Sequence, residues 1–133
     1  MSDLSMENLY LAATADTPEV DFRFDAHSLS LTGESYPENA AAFYGPILKQ
    51  LQSYLVTCRD GDTITVDVAL VYFNSSSTKM LFSFYGALNG AAELGVRVVL
   101  NWHRDPEDDT IAEFGEELRD DFTALDFHDL PTA

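Results

Sequence analysis

The stretch TITVDVALVYFNSSSTKMLFSFYGAL, residues 63–88, changes period in its middle. Ile64, Val66, Val68, Leu70 and Tyr72 recur every second residue, which places them on one face of a strand. Ala69, Val71 and Phe73 make the other face apolar too, so the spacing predicts a central strand covered on both sides. From Met80 the repeat is helical: Met80, Leu81, Phe84, Leu88 and Ala91 share a face, and Gly95 stands where a helix would stop. Between the two lie Asn74, Ser75, Ser76, Ser77 and Thr78, followed by Lys79. One capping side chain is enough to start a helix, so four hydroxyls in a row call for a further reason.

Downstream, VRVVLNW (96–102) reads as another buried strand that places Trp102 in the core. Strand, helix and strand in one small unit imply a parallel pair joined by a right-handed crossover. DPEDD (105–109) opens a last helix with acids at its positive dipole end, and Ile111, Phe114 and Leu118 turn inward.

Upstream, Asp60-Gly61-Asp62 is a turn. SYPEN (35–39) predicts a helix start, with Ser35 and Glu38 at capping-box spacing and Pro37 in the first turn. Its inward face would carry Phe43, Ile47, Leu51, Tyr54 and Leu55, with a kink or restart at Gly45-Pro46. Val20, Phe22 and Phe24 alternate with charged residues, Leu29 and Leu31 alternate after Asp25-Ala26-His27, and the two runs predict a hairpin. Residues 1–17 are weakly patterned, either flexible or, at Leu9-Tyr10-Leu11, an edge strand. The fold class is α/β: one domain over residues 1–133, with a mixed sheet and about three helices packed against it. In such sheets the carboxyl ends of the strands form the usual functional edge, and the hydroxyl row lies there.

Composition narrows the function. Seven basic against twenty-three acidic residues give a formal charge of −16, which disfavours nucleic acid and anionic membrane and favours a partner with a basic surface. The lone Cys58, the absence of a secretory pattern in MSDLSMENLY and the lack of a long apolar run predict a soluble cytoplasmic protein. His103-Arg104-Asp105 imitates a kinase catalytic loop but has Thr110 where Asn belongs, with no Gly-rich loop or DFG. The acids from Asp105 to Glu116 approach calcium-loop spacing but put Thr110 at the obligatory glycine. His27, His103 and His128 lack metal-ligand spacing, and Ser75 lacks a G-x-S-x-G elbow. No catalytic, metal or cofactor site is expected, although a hydrolase using Ser75 with His103 is a third reading. Two stronger readings of the hydroxyl row stay open: plain helix capping in a constitutive protein-binding module, or a phosphorylation switch at a helix N-terminus.

GESYPEN (33–39), VYFNSSSTK (71–79), NWHRDPEDD (101–109) and EFGEEL (113–118) stand in the same order as in the SiaC family of regulatory phosphoproteins, and the chain resembles that family from residue 17 to its last helix. The resemblance implies a fold similar to anti-sigma-factor antagonists (STAS-like domains) and a partner-switching regulator with no enzymatic activity. It implies a Ser/Thr kinase and a PP2C-type phosphatase as partners. It also implies an effector, a diguanylate cyclase in the best-known branch, which the unphosphorylated form stimulates to favour biofilm through cyclic di-GMP. The phosphoacceptor falls on Ser75, where the family often has Thr. Asn74, Ser76, Ser77 and Lys79 then become capping, recognition or phosphate-contacting residues, and Tyr36, Glu38 and Asn39 become partner-contact candidates.

Overall fold

A computed structural model describes residues 7–132; the first six residues of the weakly patterned N-terminal stretch lie outside it. The chain forms β1 (Leu9–Leu11), β2 (Glu19–Arg23), β3 (Ser28–Ser35), α1 (Ala40–Leu55), β4 (Thr63–Phe73), α2 (Ser75–Glu93), β5 (Arg97–Arg104), α3 (Asp109–Asp121) and β6 (Asp126–Pro131). The six strands lie in sequence order in one sheet. β1, β2 and β3 are antiparallel neighbours, and β3 to β6 run parallel. The hairpin expected at Asp25-Ala26-His27 is present, but its first strand ends at Arg23 and Phe24 joins the 3-10 turn Phe24–Ala26, which His27 closes at φ 52°.

Each parallel strand is added on the same side of the previous one, so crossovers of one hand place α1, α2 and α3 on one face. Burial follows. Val66, Val68 and Leu70 of β4 and Val98, Leu100 and Trp102 of β5 join Ile47, Leu51, Leu81, Leu88, Ile111 and Leu118 of the helices in one core. The other sheet face carries Ser30, Thr65, Asp67, Asn101 and His103, all only half-buried. β4 is therefore central but covered by helices on one side, not on both. On its open face Ala69 is half-buried and Val71 is exposed.

Two further expectations change. α1 runs unbroken through Pro46, with no restart at Gly45, and buries Ala40, Tyr44, Ile47, Leu51 and Tyr54, while Phe43 and Leu55 are only partly covered. β6 is a strand that periodicity did not suggest. DFHDLP is short, polar, largely exposed and ends in proline, as suits the edge of a sheet.

The end of α2 behaves as its sequence predicts. Gly95 adopts φ +108°, its N–H bonds the Ala92 carbonyl, and the Val96 N–H reaches back to Ala91. This paired closure requires a left-handed residue, which glycine supplies without strain.

Candidate functional site

The carboxyl ends of β3, β4 and β5 feed straight into the N-termini of α1, α2 and α3, so three positive helix ends meet along one edge. At the middle one, Asn74 is the pivot. Its side chain accepts from the Ser77 N–H at 2.9 Å, and its own N–H donates to the Ser35 carbonyl at 3.0 Å. Its carbonyl accepts from both the Thr78 N–H (3.0 Å) and the Thr78 hydroxyl (3.1 Å).

The hydroxyl row divides accordingly. Ser75 and Ser76 open the helix and are exposed, with amides that have no intrahelical acceptor and no acid in the first turn to compensate the dipole. Ser77 turns inward and is fully buried, accepting from the Ser35 hydroxyl at 2.8 Å. Ser35 in turn contacts the Tyr44 hydroxyl, and since its own proton goes to Ser77, Tyr44 is the donor. Burial pushes the Tyr44 phenol above its ordinary value, against the opposing pull of Ser35, and keeps it protonated for that role. A chain of three hydroxyls thus ties α1 and β3 to the first turn of α2.

Ser35 does not cap α1. It is the last residue of β3, paired with Phe73, and its hydroxyl points into the core. The cap is Asn39, whose side chain accepts from the Ala42 N–H at 3.0 Å. Capping-box spacing pointed to Ser35, while the strand continuing through that residue decided otherwise. Glu38, Asn39, Ser76 and Lys79 line one cleft with Ala40 and Met80 between the starts of α1 and α2. The two expected halves of the site, SYPEN and NSSSTK, therefore meet in space. Lys79 is exposed four residues after Ser75, on the same helix face.

A β-bulge shapes the other flank. Gly33, at φ +121°, pairs with Leu70, but Glu34 pairs with Tyr72, so Val71 is an extra residue in β4. Beyond it the alternation inverts. Phe73 turns inward against Phe114, with ring centres 4.6 Å apart, while Tyr72, expected on the buried face, points outward at 50% exposure. Tyr36 meets the Tyr72 ring edge-on at 5.7 Å.

On the α3 side, Asp108 caps the helix through the Ile111 N–H at 3.0 Å, so DPEDD supplies a turn and a cap before the helix begins at Asp109. Trp102 is in the core, its indole N–H donating to the Ile111 carbonyl. His103 is engaged by Asp67 at 2.9 Å on the open sheet face and makes no hydrogen bond to Ser75. Among the described residues, no group of three or more His, Cys, Asp or Glu is placed to hold a metal, and no helix is long and apolar enough to cross a membrane.

The site is thus a capped helix start with exposed serines beside a cleft, on the edge of an α/β sheet. Residues 11–132 match the model of the SiaC family regulatory phosphoproteins, and the chain belongs to that family. It is 33% identical over 128 residues to an uncharacterized protein of Pseudomonas aeruginosa strain UCBPP-PA14, covering 93% of this chain and 99% of that one. The crystal structure of apo-SiaC from Pseudomonas aeruginosa matches with a TM-score of 0.85 at 30% identity, covering 96% of this chain and 100% of that one. A chain in the crystal structure of diguanylate cyclase SiaD in complex with its activator SiaC, from the same organism, matches with a TM-score of 0.84 at 30% identity, over 93% of this chain and 99% of that chain.

Proposed function

We propose that this chain is a partner-switching regulator, acting as one cytoplasmic domain, whose unphosphorylated form binds and stimulates a diguanylate cyclase. A Ser/Thr kinase ends the interaction by phosphorylating Ser75, and a PP2C-type phosphatase restores it. Family membership supports the regulatory role, and the SiaD–SiaC complex supports the choice of effector.

The observation that carries the reading is the division of the hydroxyl row, which leaves Ser75 and Ser76 open to a kinase; the resemblance to the family's motif selects Ser75 of the two. Ser75 is exposed at the first helical position and its hydroxyl makes no hydrogen bond among the described residues, while Ser77 is buried in the tie to Ser35. A kinase can reach Ser75 without unfolding the first turn of α2. The phosphate adds about −1.5 to −2 charges at a helix N-terminus, where the dipole favours it, and Lys79 stands one turn along to meet it. An effector surface seated over Ser75 would then have to bury that charge, which is costly without paired cations.

The test is phosphopeptide mapping of the protein from its native host beside a Ser75→Ala variant, with titration of the cyclase. One phosphate on Ser75, absent from Ser75→Ala, is expected. Ser75→Ala should keep cyclase binding, and Ser75→Asp should lose it. Equal binding by both variants would sink the switch and leave a constitutive module whose serines only cap a helix.

A further inference from the structure

Around the bulge at Val71 three large apolar side chains stand in water beside the switch. Val71 is 65% exposed, Tyr72 50% and Tyr36 39%. Regular alternation would have turned Tyr72 inward and Phe73 outward, so the extra residue is what re-aims the pair. Next to them lies a hollow lined by Val71, Tyr72, Phe73, Asp108, Thr110 and Ile111. Exposed apolar groups grouped at a functional edge mark an interaction surface.

The surrounding charge is predominantly acidic. Asp105, Glu107, Asp108 and Asp109 cluster at the start of α3, and Glu34 and Glu38 stand on the opposite side. Arg104, the nearest cation on β5, is already held by two hydrogen bonds to Asp129 at 2.8 and 2.9 Å. Glu34, Glu38, Glu107 and Asp109 form no ion pair among the described residues. An apolar patch inside an acidic rim is complementary to apolar side chains flanked by Lys or Arg.

We propose that Tyr36, Val71 and Tyr72 form the docking surface for a basic amphipathic segment of the effector, its apolar side chains on this patch and its cations over the acids that begin α3. The proposal deepens the switch reading and rests on it for the identity of the effector. It also settles a sign. A phosphate on Ser75 attracts a cationic partner, so simple repulsion cannot release the segment. Release follows if the group seated next to Ser75 is apolar, because docking would then strip water from a phosphate whose charge of about −1.5 to −2 Lys79 alone does not neutralise. The partner's cations therefore lie at the α3 end, away from α2.

The test has two arms. In the first, the chain is titrated with a synthetic peptide carrying leucines along one helical face and lysines elsewhere. A peptide with the leucines replaced by serine, and a Val71→Ser/Tyr72→Ser double variant of the chain, should each weaken binding about tenfold or more. Glu107→Gln/Asp109→Asn should weaken it less and flatten its salt dependence. Backbone amide spectra of the wild-type chain should shift around Val71, Tyr72 and Thr110, which keeps the test decisive if the double variant folds poorly. Binding indifferent to the leucines, or shifts confined to another acidic surface, would overturn the docking surface. In the second arm, each diguanylate cyclase of the host is titrated in full-length form. If none binds while the first arm succeeds, the effector assignment falls and the surface stands. If a cyclase binds the double variant as tightly as the wild type, the surface falls and the effector assignment stands.

Discussion

At the scale of the residue, neighbouring serines in this chain have opposite tolerances. An acid at position 75 sits on the first turn of α2, exposed, where the dipole favours negative charge by about 0.3–1 kcal/mol. Ser75→Asp should thus be neutral or slightly stabilising in urea unfolding while losing the effector. Ser77→Asp would bring a carboxylate into a site with no solvent access, against Ser35, and should cost several kcal/mol or prevent folding. Similar midpoints for the two variants would mean that the inward tie is wrong. Tyr85 offers the converse case. Its hydroxyl is the one buried side-chain polar atom without a hydrogen-bond partner among the described residues, beside the Tyr44 and Trp102 that fill the core. An unsatisfied buried hydroxyl costs about 1–3 kcal/mol, so Tyr85→Phe should leave stability unchanged or raise it. A clear loss of stability in Tyr85→Phe would show that the hydroxyl has a partner after all.

At the scale of the element, what the sequence made legible is what local patterning determines. Strand β4 and helix α2 follow from a change of period, a cap among Asn74 and the serines follows from residue type and the structure selects Asn74, and Gly95 follows from the left-handed closure. Three features were not legible, each for a nonlocal reason. Ser35 looks like a cap until its strand partner Phe73 is known. The bulge that turns Tyr72 outward exists only in the register between β3 and β4. The third, β6, has almost no apolar pattern, because an edge strand buries little. Besides its backbone ladder to β5 and the packing of Phe127, it carries two ion pairs, Arg97 to Asp126 at 2.9 Å and Arg104 to Asp129 at 2.8 Å. The hydrogen bonds from Arg97 and then His128 hold the Asp126 carboxyl below its ordinary value, and Arg104 does the same for Asp129. Lowered folded-state values mean that this contribution is present above the ordinary carboxylate value of about 4 and fades as pH falls through the folded values. Hydrogen exchange in β6 should accordingly accelerate relative to β5 below about pH 4, and Arg104→Gln should bring that loosening to neutral pH. β6 amides that stay as protected as those of β5 at both pH values would rule the ionic anchor out.

At the scale of the whole molecule, the formal charge of −16 acts against the fold even as it suits the docking surface. The acids are not spread evenly in their effect. α3 ends with Glu117, Asp120 and Asp121 in its last turns, at the negative end of the dipole, with Arg119 as the one basic residue there. Two opposing effects of salt can be weighed. Exposed ion pairs such as Arg23–Asp21 and Arg97–Asp126 weaken on screening, but each contributes only about 0–1 kcal/mol. The uncompensated acids repel one another over distances that screening also shortens: the Debye length falls from about 30 Å at 0.01 M to about 3 Å at 1 M salt. With sixteen negative charges in excess, repulsion should win. Thermal stability should therefore rise by several degrees across that range in sodium chloride, a salt chosen to limit the salting-out that sulfate would add. Asp120→Asn/Asp121→Asn should raise stability at low salt and add little at high salt, since it removes the same repulsion and relieves the helix end. If salt lowers the midpoint, or the double variant gains as much at high salt as at low, the acids are not repelling in the folded state, and the charge serves the partner surface without cost to the fold.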